Sequence, residues 1–274
     1  MADDTLRLLI LGAHPDDAEF HAGGLAAIYR SLGHEVRMIS LTNGAAGHHW
    51  RSPEELVELR RAEAAAAGAI IGATYLTWDH PDGELLPTLE VRRQVIREIR
   101  TFRPDLLLTH RTCDYHPDHR AVGQVVQDAS FMVIVPHIVP EVPALRTDAV
   151  VAYMRDVFTK PTPLDGDVVI DIGPQIETIV DMLCCHRSQV FEWLPYTEHK
   201  EDQVPEDETE RRVWVRDWYL RLSRQFADRY RQQLIATYGE TRGSQIEHAE
   251  VYEISEYAAP LDEATRQRLF AFLP

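Results

Sequence analysis

Two short segments hold residues able to do chemistry together: "HPDD" at positions 14–17 and "DYHPDH" at 114–119. The first sets a histidine and two adjacent carboxylates behind an apolar run, Leu6–Gly12. Neighbouring like charges held close in a fold cost energy unless something positive sits between them. His14, Asp17 and His119 make a two-imidazole, one-carboxylate set. That set suits a catalytic divalent metal which keeps positions open for water and substrate. Pro15 stiffens the turn, so His14 and Asp17 can approach one ion from the same loop. His116 and His119 are three apart with Pro117 placed for a first helical turn, so both rings can point at one site. A cation would also account for the doubled aspartate: one carboxylate holds the ion while the other stays free as a base.

Each segment alone has a plainer reading. HPDD also suits a helix start in which an aspartate accepts backbone N–H groups. HPDH suits a solvated helix N-terminus with an acid at the dipole. The elements that must position them decide between these readings. Leu6–Gly12, Glu35–Leu41, Ala73–Trp78 and Asp105–His110 read as strands. Ala18–Leu32, Pro53–Gly68, Leu89–Phe102 and a segment beginning near Pro117 read as helices, with Gly33 and Gly68 as stops for the first two. This alternation predicts an α/β fold whose parallel sheet is covered by helices on both faces. Ligands in such folds bind outside the carboxyl ends of the strands. Both motifs fall there, at the ends of the first and fourth strands, which makes coincidence a poor explanation.

The second half reads less regularly. Val150–Met154 and Val168–Ile172 suit strands, Pro174–Arg187 and Glu208–Leu234 suit helices, and the acidic stretch Glu198–Glu210 suits a surface loop. With no repeat and no low-complexity linker, a single domain over residues 1–274 is expected, with a C-terminal embellishment from about residue 190.

The 274 residues are 45% hydrophobic and 26% charged with a net charge of −16. That balance argues against nucleic acid or an anionic membrane as partner, since both require a basic face. No apolar run approaches the roughly 18 residues of a membrane span. Cys113, Cys184 and Cys185 are odd in number and form no CxxC pair. Their usage, and the acids that follow Met1 where a secretory signal would be basic, set the expectation of a cytoplasmic protein.

The segments "AHPDDAEFHAGG" and "DYHPDHRAVG" together resemble the LmbE-like (PIG-L) family of zinc-dependent N-deacetylases over the first 130 residues. The resemblance implies a three-layer Rossmann-like fold with a mostly parallel sheet. It implies one zinc per chain, with iron(II) able to take the same place, held by His14, Asp17 and His119. Asp16 becomes the general base, His116 the group that steadies the oxyanion, and Asp118 a neighbour that tunes an imidazole. The implied substrate is a small N-acetylglucosamine-type molecule or conjugate, and the implied assembly a homo-oligomer, trimer or hexamer. Many members carry an acid directly after the two aspartates; here Ala18 stands first and Glu19 follows, which blurs the subfamily.

Weaker correspondences place Arg60, Asp82 and His186 near substrate. Against these stand a surface charge, an Asp-Gly turn and a structural histidine. His48 and His49 read as ordinary loop histidines, whereas Trp50, Trp78, Trp193 and Tyr196 could stack on a sugar ring but default to packing. The main alternative is an amidase acting on a larger acyl group or a thiol conjugate of an amino sugar. A non-catalytic sugar- or metal-binding protein should have lost Asp16 or His116, and both are present. A mononuclear iron oxygenase would use the same ligand ratio but usually needs a β-rich barrel, and it leaves Asp16 without a task.

Overall fold

A computed structural model describes residues 5–274. Seven strands form one sheet in the order β3-β2-β1-β4-β5-β7-β6. The first four are β1 (Arg7–Gly12), β2 (Glu35–Thr42), β3 (Thr74–His80) and β4 (Leu106–Thr109). They are followed by β5 (Val150–Met154), β6 (Val168–Asp171) and β7 (Ala249–Ile254). Strands β1 to β5 pair in parallel, while β7 runs antiparallel to both β5 and β6. β1 is all but entirely buried because it has a core on each side. Alternation sends Leu8 and Ile10 into one core and Leu9 and Leu11 into the other. The first core is shared with α1 (Asp17–Ser31), α2 (Pro53–Ile71), α5 (Ile176–Cys185) and α7 (Glu208–Arg229). The second is covered by α3 (Leu89–Phe102) and α4 (Pro117–Ser130). The result is the three-layer, mostly parallel α/β architecture that the sequence suggests.

Several boundaries move for identifiable reasons. Gly68 does not stop α2, which continues to Ile71 and ends on Gly72 in the left-handed conformation. Gly68 is needed for close approach instead: a Cβ there would lie 2.9 Å from Tyr75 Cβ and 3.0 Å from the Ala73 carbonyl oxygen. The helix expected over Glu208–Leu234 breaks at Tyr230, and α8 (Arg231–Tyr238) follows. The helix expected to reach Arg187 ends at Cys185. A π-helical turn, Ser188–Trp193, leads from there into the short α6 (Leu194–Thr197). Glu208 and Glu210 belong to the first turn of α7, so the acidic loop ends sooner than expected.

The stretch after residue 190 is more than a covering. It supplies β7, an inner strand of the sheet, and α7, whose Val215 and Tyr219 belong to the first core. β7 gave no strand signal because a core position of its AEVYEI segment is charged. Glu250 is fully buried and accepts hydrogen bonds from the backbone N–H groups of Gly24 (2.7 Å) and Leu25 (2.8 Å) and from the Tyr252 hydroxyl (2.7 Å).

Candidate active site

The sheet changes direction of winding between β1 and β4: the chain runs outward through β2 and β3, then crosses back to β4. Such a switch point opens a crevice at the carboxyl ends of the two central strands. β1 ends at Gly12, and the turn into α1 carries Ala13 to Asp17. Thr42 and Ser40, at the end of β2, donate their hydroxyls to the Ala13 carbonyl at 2.7 and 3.1 Å and fix the turn from one side. Gly12 is required because a Cβ there would stand 2.7 Å from Asp17 Cβ. From the other strand, β4 delivers His110, and α4 starts at Pro117 with His116 as its cap.

Two imidazoles and one carboxylate converge in this crevice. His119 Nε2 lies 3.2 Å from His14 Nδ1 and 3.5 Å from Asp17 Oδ1, and His14 Nδ1 lies 3.6 Å from Asp17 Oδ2. Ligands about 2.0–2.1 Å from a tetrahedral ion stand roughly 3.4 Å apart, so these spacings fit such an ion. The outer nitrogen of His14 is held as a metal centre requires. His14 Nε2 faces Asp118 Oδ2 at 3.2 Å and Asp82 Oδ1 at 3.3 Å, which turns Nδ1 inward. His119 Nδ1 lies 3.1 Å from Asp114 Oδ1. Asp17 Oδ2 accepts the backbone N–H groups of Ala13 and His14, both at 2.8 Å, and leaves Oδ1 toward His119.

The charges follow from these contacts. Burial favours a neutral His14, yet Asp118, Asp17 and Asp82 outweigh it and hold the imidazole well above its ordinary pKa. Burial alone would raise Asp17, but His119, His110 and His14 keep it well below the carboxylate range. Asp16 behaves oppositely. Burial, and then the charge of Asp17, push it up to about 7, although His186, Arg60 and His14 pull the other way. Its side chain does not cap α1, so the capped-helix reading of HPDD fails at this residue. The backbone there is unusual too: φ is +121°, a region that non-glycine residues rarely enter. The Asp16 N–H is held by the Tyr75 hydroxyl at 3.1 Å. Asp16 lines a cleft of about 320 Å³ together with His14, Asp17 and His119.

His116 stands beside His14, ring centroids 4.4 Å apart and nearly perpendicular, outside the lining of that cleft. Its Nδ1 accepts the Asp118 N–H at 3.2 Å. A neutral His116 therefore carries its proton on Nε2, where it can act as a donor. Asp118 also binds the N–H groups of Gly83 and Leu85, at 2.7 and 3.1 Å, and ties the loop after β3 to the site. Asp82 accepts from the N–H groups of Ala46 and Gly47 at 3.0 and 3.2 Å, a bracing role rather than an open sugar contact.

Two expected substrate contacts are corrected by burial. Arg60 is 1% exposed; it donates to the Gly47 carbonyl at 2.9 Å and lies behind Asp16. His186 is fully buried with its Nε2 3.1 Å from Glu19 Oε1. Neither presents a face to the cleft. His48 lies 2.9 Å from Glu192, while His49 stacks on Tyr196 at 4.0 Å and Tyr196 on Trp193 at 5.7 Å, which clasps the loop after β2 to the π-helical turn.

Four residues that spacing did not single out also belong here. His110 Nε2 lies 3.0 Å from Asp17 Oδ2, and its ring stacks on His119 at 4.0 Å. His21 is held neutral by burial, its pKa down to about 3, and lines the cleft. Asp114 backs His119, and Tyr75 holds Asp16. Of these, His110 had a signal as a histidine ending a buried strand just before the second motif, and Asp114 as the first residue of that motif. Tyr75 and His21 depend on contacts across 59 and 134 residues of chain.

Comparison with known proteins agrees with this geometry. Residues 9–130 match the PIG-L family, described as GlcNAc-PI de-N-acetylase. The likeness to that family is confined to this stretch of the chain. A diacetylchitobiose deacetylase of Thermococcus kodakarensis is 32% identical over 127 residues, 44% of this chain and 48% of that protein. A 4-oxalmesaconate hydratase of Pseudomonas putida is 28% identical over 129 residues, 44% of this chain and 50% of that one. The chain thus spans about half the length of these curated relatives. The fold matches further: N,N'-diacetylchitobiose deacetylase of Pyrococcus horikoshii superposes with a TM-score of 0.70 at 20% identity, covering 93% of this chain and 85% of the other. Among the described residues no helix is long and apolar enough to cross a membrane, and Cys113, Cys184 and Cys185 are free thiols.

Proposed function

We propose that this protein is a metal-dependent amidohydrolase that removes the N-acyl group from an amino sugar or a small conjugate of one. N-deacetylation of an N-acetylglucosamine-type molecule is the simplest case, and zinc is the ion the donor set suits best. The observation that carries this reading is one juxtaposition. Two imidazole nitrogens 3.2 Å apart face the Asp17 carboxylate, one oxygen 3.5 Å from His119 and the other 3.6 Å from His14, beside Asp16, a second buried carboxylate that lines the same cleft. His14, Asp17 and His119 would hold the ion. A divalent ion there supplies a polarised carbonyl and a water of lowered pKa. Asp16, with its pKa near neutrality, accepts a proton from the attacking water and passes it to the departing amine nitrogen. His116 Nε2 donates to the oxygen that gains charge in the transition state. Asp118 and Asp82 keep His14 turned toward the centre.

The relative named as a hydratase points to a different outcome, addition of water to an unsaturated acid. Arg155, the cation in the cleft wall, is committed to the Phe20 and Ala249 carbonyls and the Tyr219 hydroxyl. That leaves it poorly placed to bind an acidic substrate. The deciding experiment is acetate release from a panel of N-acetylglucosamine derivatives by zinc-reconstituted protein, with Asp16→Asn alongside. The parent should release acetate, and the variant should lose about 10²–10⁴-fold in kcat while still binding zinc. Equal release by both would remove Asp16 from the reaction. No release with metal bound, and hydration of an unsaturated acid instead, would overturn the amide reading.

A further inference from the structure

The cleft does not end at the converging donors. Beyond His14, Asp16, Asp17 and His119 its wall is built by Phe20, Phe158, Leu194, Trp218, Leu222 and Phe226. All but Phe20 lie outside residues 9–130, so the wall is set by a part of the chain that the family match does not reach. Several of its polar groups are already engaged, although the Tyr115 hydroxyl also lines it. Arg155 is committed as described. Asp156 makes a two-pronged ion pair with Arg111 at 2.6 and 2.9 Å, and His21 Nδ1 lies 3.0 Å from the Arg155 carbonyl. A further lining group, Gln189, keeps its Oε1 buried and unpartnered.

We propose that this cleft is an acyl chamber, and that the amide cleaved here bears a hydrocarbon chain of about six to eight carbons rather than an acetyl group. The inference rests on the amide-hydrolysis reading above and names its substrate class. Size is the first argument. An apolar cavity of about 150 Å³ suffices to bind benzene, and this cleft measures about 320 Å³. An acetyl methyl would leave most of it unfilled.

Chemistry is the second argument. The chamber opens directly at the reacting centre. The amine side of an amino sugar carries hydroxyls next to the amide nitrogen, and in this largely apolar wall most would meet carbon or a group already paired. Leaving buried hydroxyls unpaired is costly. The acyl side has no such groups, since its carbons begin at the carbonyl itself. In the reaction the water oxygen bonds to the carbonyl carbon and the C–N bond breaks. The amine nitrogen takes both water protons and leaves as an ammonium, and the acyl chain leaves as a carboxylate.

The test measures kcat/KM of the zinc-loaded full chain on N-acetyl-, N-butanoyl-, N-hexanoyl- and N-octanoylglucosamine, and thermal stabilisation by hexanoate and acetate. Each added methylene should raise kcat/KM about threefold or more, on the order of 100-fold from acetyl to hexanoyl. Hexanoate should raise the melting temperature where acetate does not. Leu222→Trp, and independently the loop variant Val157→Trp, should bring the hexanoyl-to-acetyl ratio close to one. Acetyl cleaved as fast as hexanoyl by the parent would overturn the chamber while leaving the hydrolase intact. Hexanoate binding without cleavage of any amide would keep the chamber and overturn the hydrolase. Neither binding nor cleavage would end both.

Discussion

Two carboxylates stand behind His14 and orient it. Asp118 Oδ2 and Asp82 Oδ1 stand 3.2 and 3.3 Å from the same nitrogen, Nε2, which has one proton to give. Losing the carboxylate behind a metal-bound histidine typically weakens the metal 10–100-fold, or about 1.4–2.7 kcal/mol. Because a second carboxylate remains within reach, Asp118→Asn should sit at the lower end, about tenfold. Asparagine also keeps an oxygen for the Gly83 or Leu85 N–H, so the loop after β3 should stay in place. Asp82→Asn should behave similarly. The double variant should lose more than the product of the two singles, since the last good acceptor disappears.

An opposing effect sets the pH dependence. Both carboxylates also raise the His14 pKa, and the proton they retain must leave before an ion binds. Removing them eases that step, so the difference between parent and double variant should narrow as pH falls and widen as it rises. The assay is zinc affinity by competition with a chromophoric chelator at several pH values, with urea unfolding of the metal-free proteins as a control for folding. Parent-like affinity in the double variant at high pH would refute the claim that these acids organise the centre.

Other consequences are open to direct measurement. Since His14 has a raised pKa in the metal-free protein, zinc binding near neutral pH should release protons. Its heat should therefore change between buffers of different ionisation enthalpy; identical heats would contradict a protonated His14. Arg100, 1% exposed, donates to six backbone carbonyls between Met132 and Val142. Arg100→Leu should cost about 3 kcal/mol or more, lowering Tm by roughly 6–12 °C; an unchanged Tm would show that water replaces the guanidinium at no cost. Glu250→Ala should destabilise by about 3–5 kcal/mol, because it strips the Gly24 and Leu25 N–H groups of their acceptor and leaves Arg155 without a buried counter-charge. Urea unfolding reads this, and a loss below 1 kcal/mol would contradict it.

Much of this protein is written locally. An unbroken apolar run makes β1 a central strand whatever surrounds it, because only a doubly covered sheet can bury both of its faces. His14, Pro15 and Asp17 share one turn, and His116 and His119 share one helix start, so their spacing alone brings each group to one side of its element. The βα alternation then places both groups at one sheet edge. Sequence therefore reached the converging donors and the central architecture. It did not reach what depends on partners far along the chain. Arg60 and His186 looked like substrate contacts until packing buried them behind Asp16 and against Glu19. β7 carries a buried glutamate whose two backbone donors lie more than 220 residues earlier, so no local pattern marks it as core. The pKa of Asp16, the braces on His14 and the apolar wall that α7 brings to the cleft all arise where separate segments meet. Charge and burial are properties of a neighbourhood, and only the tertiary structure decides who the neighbours are.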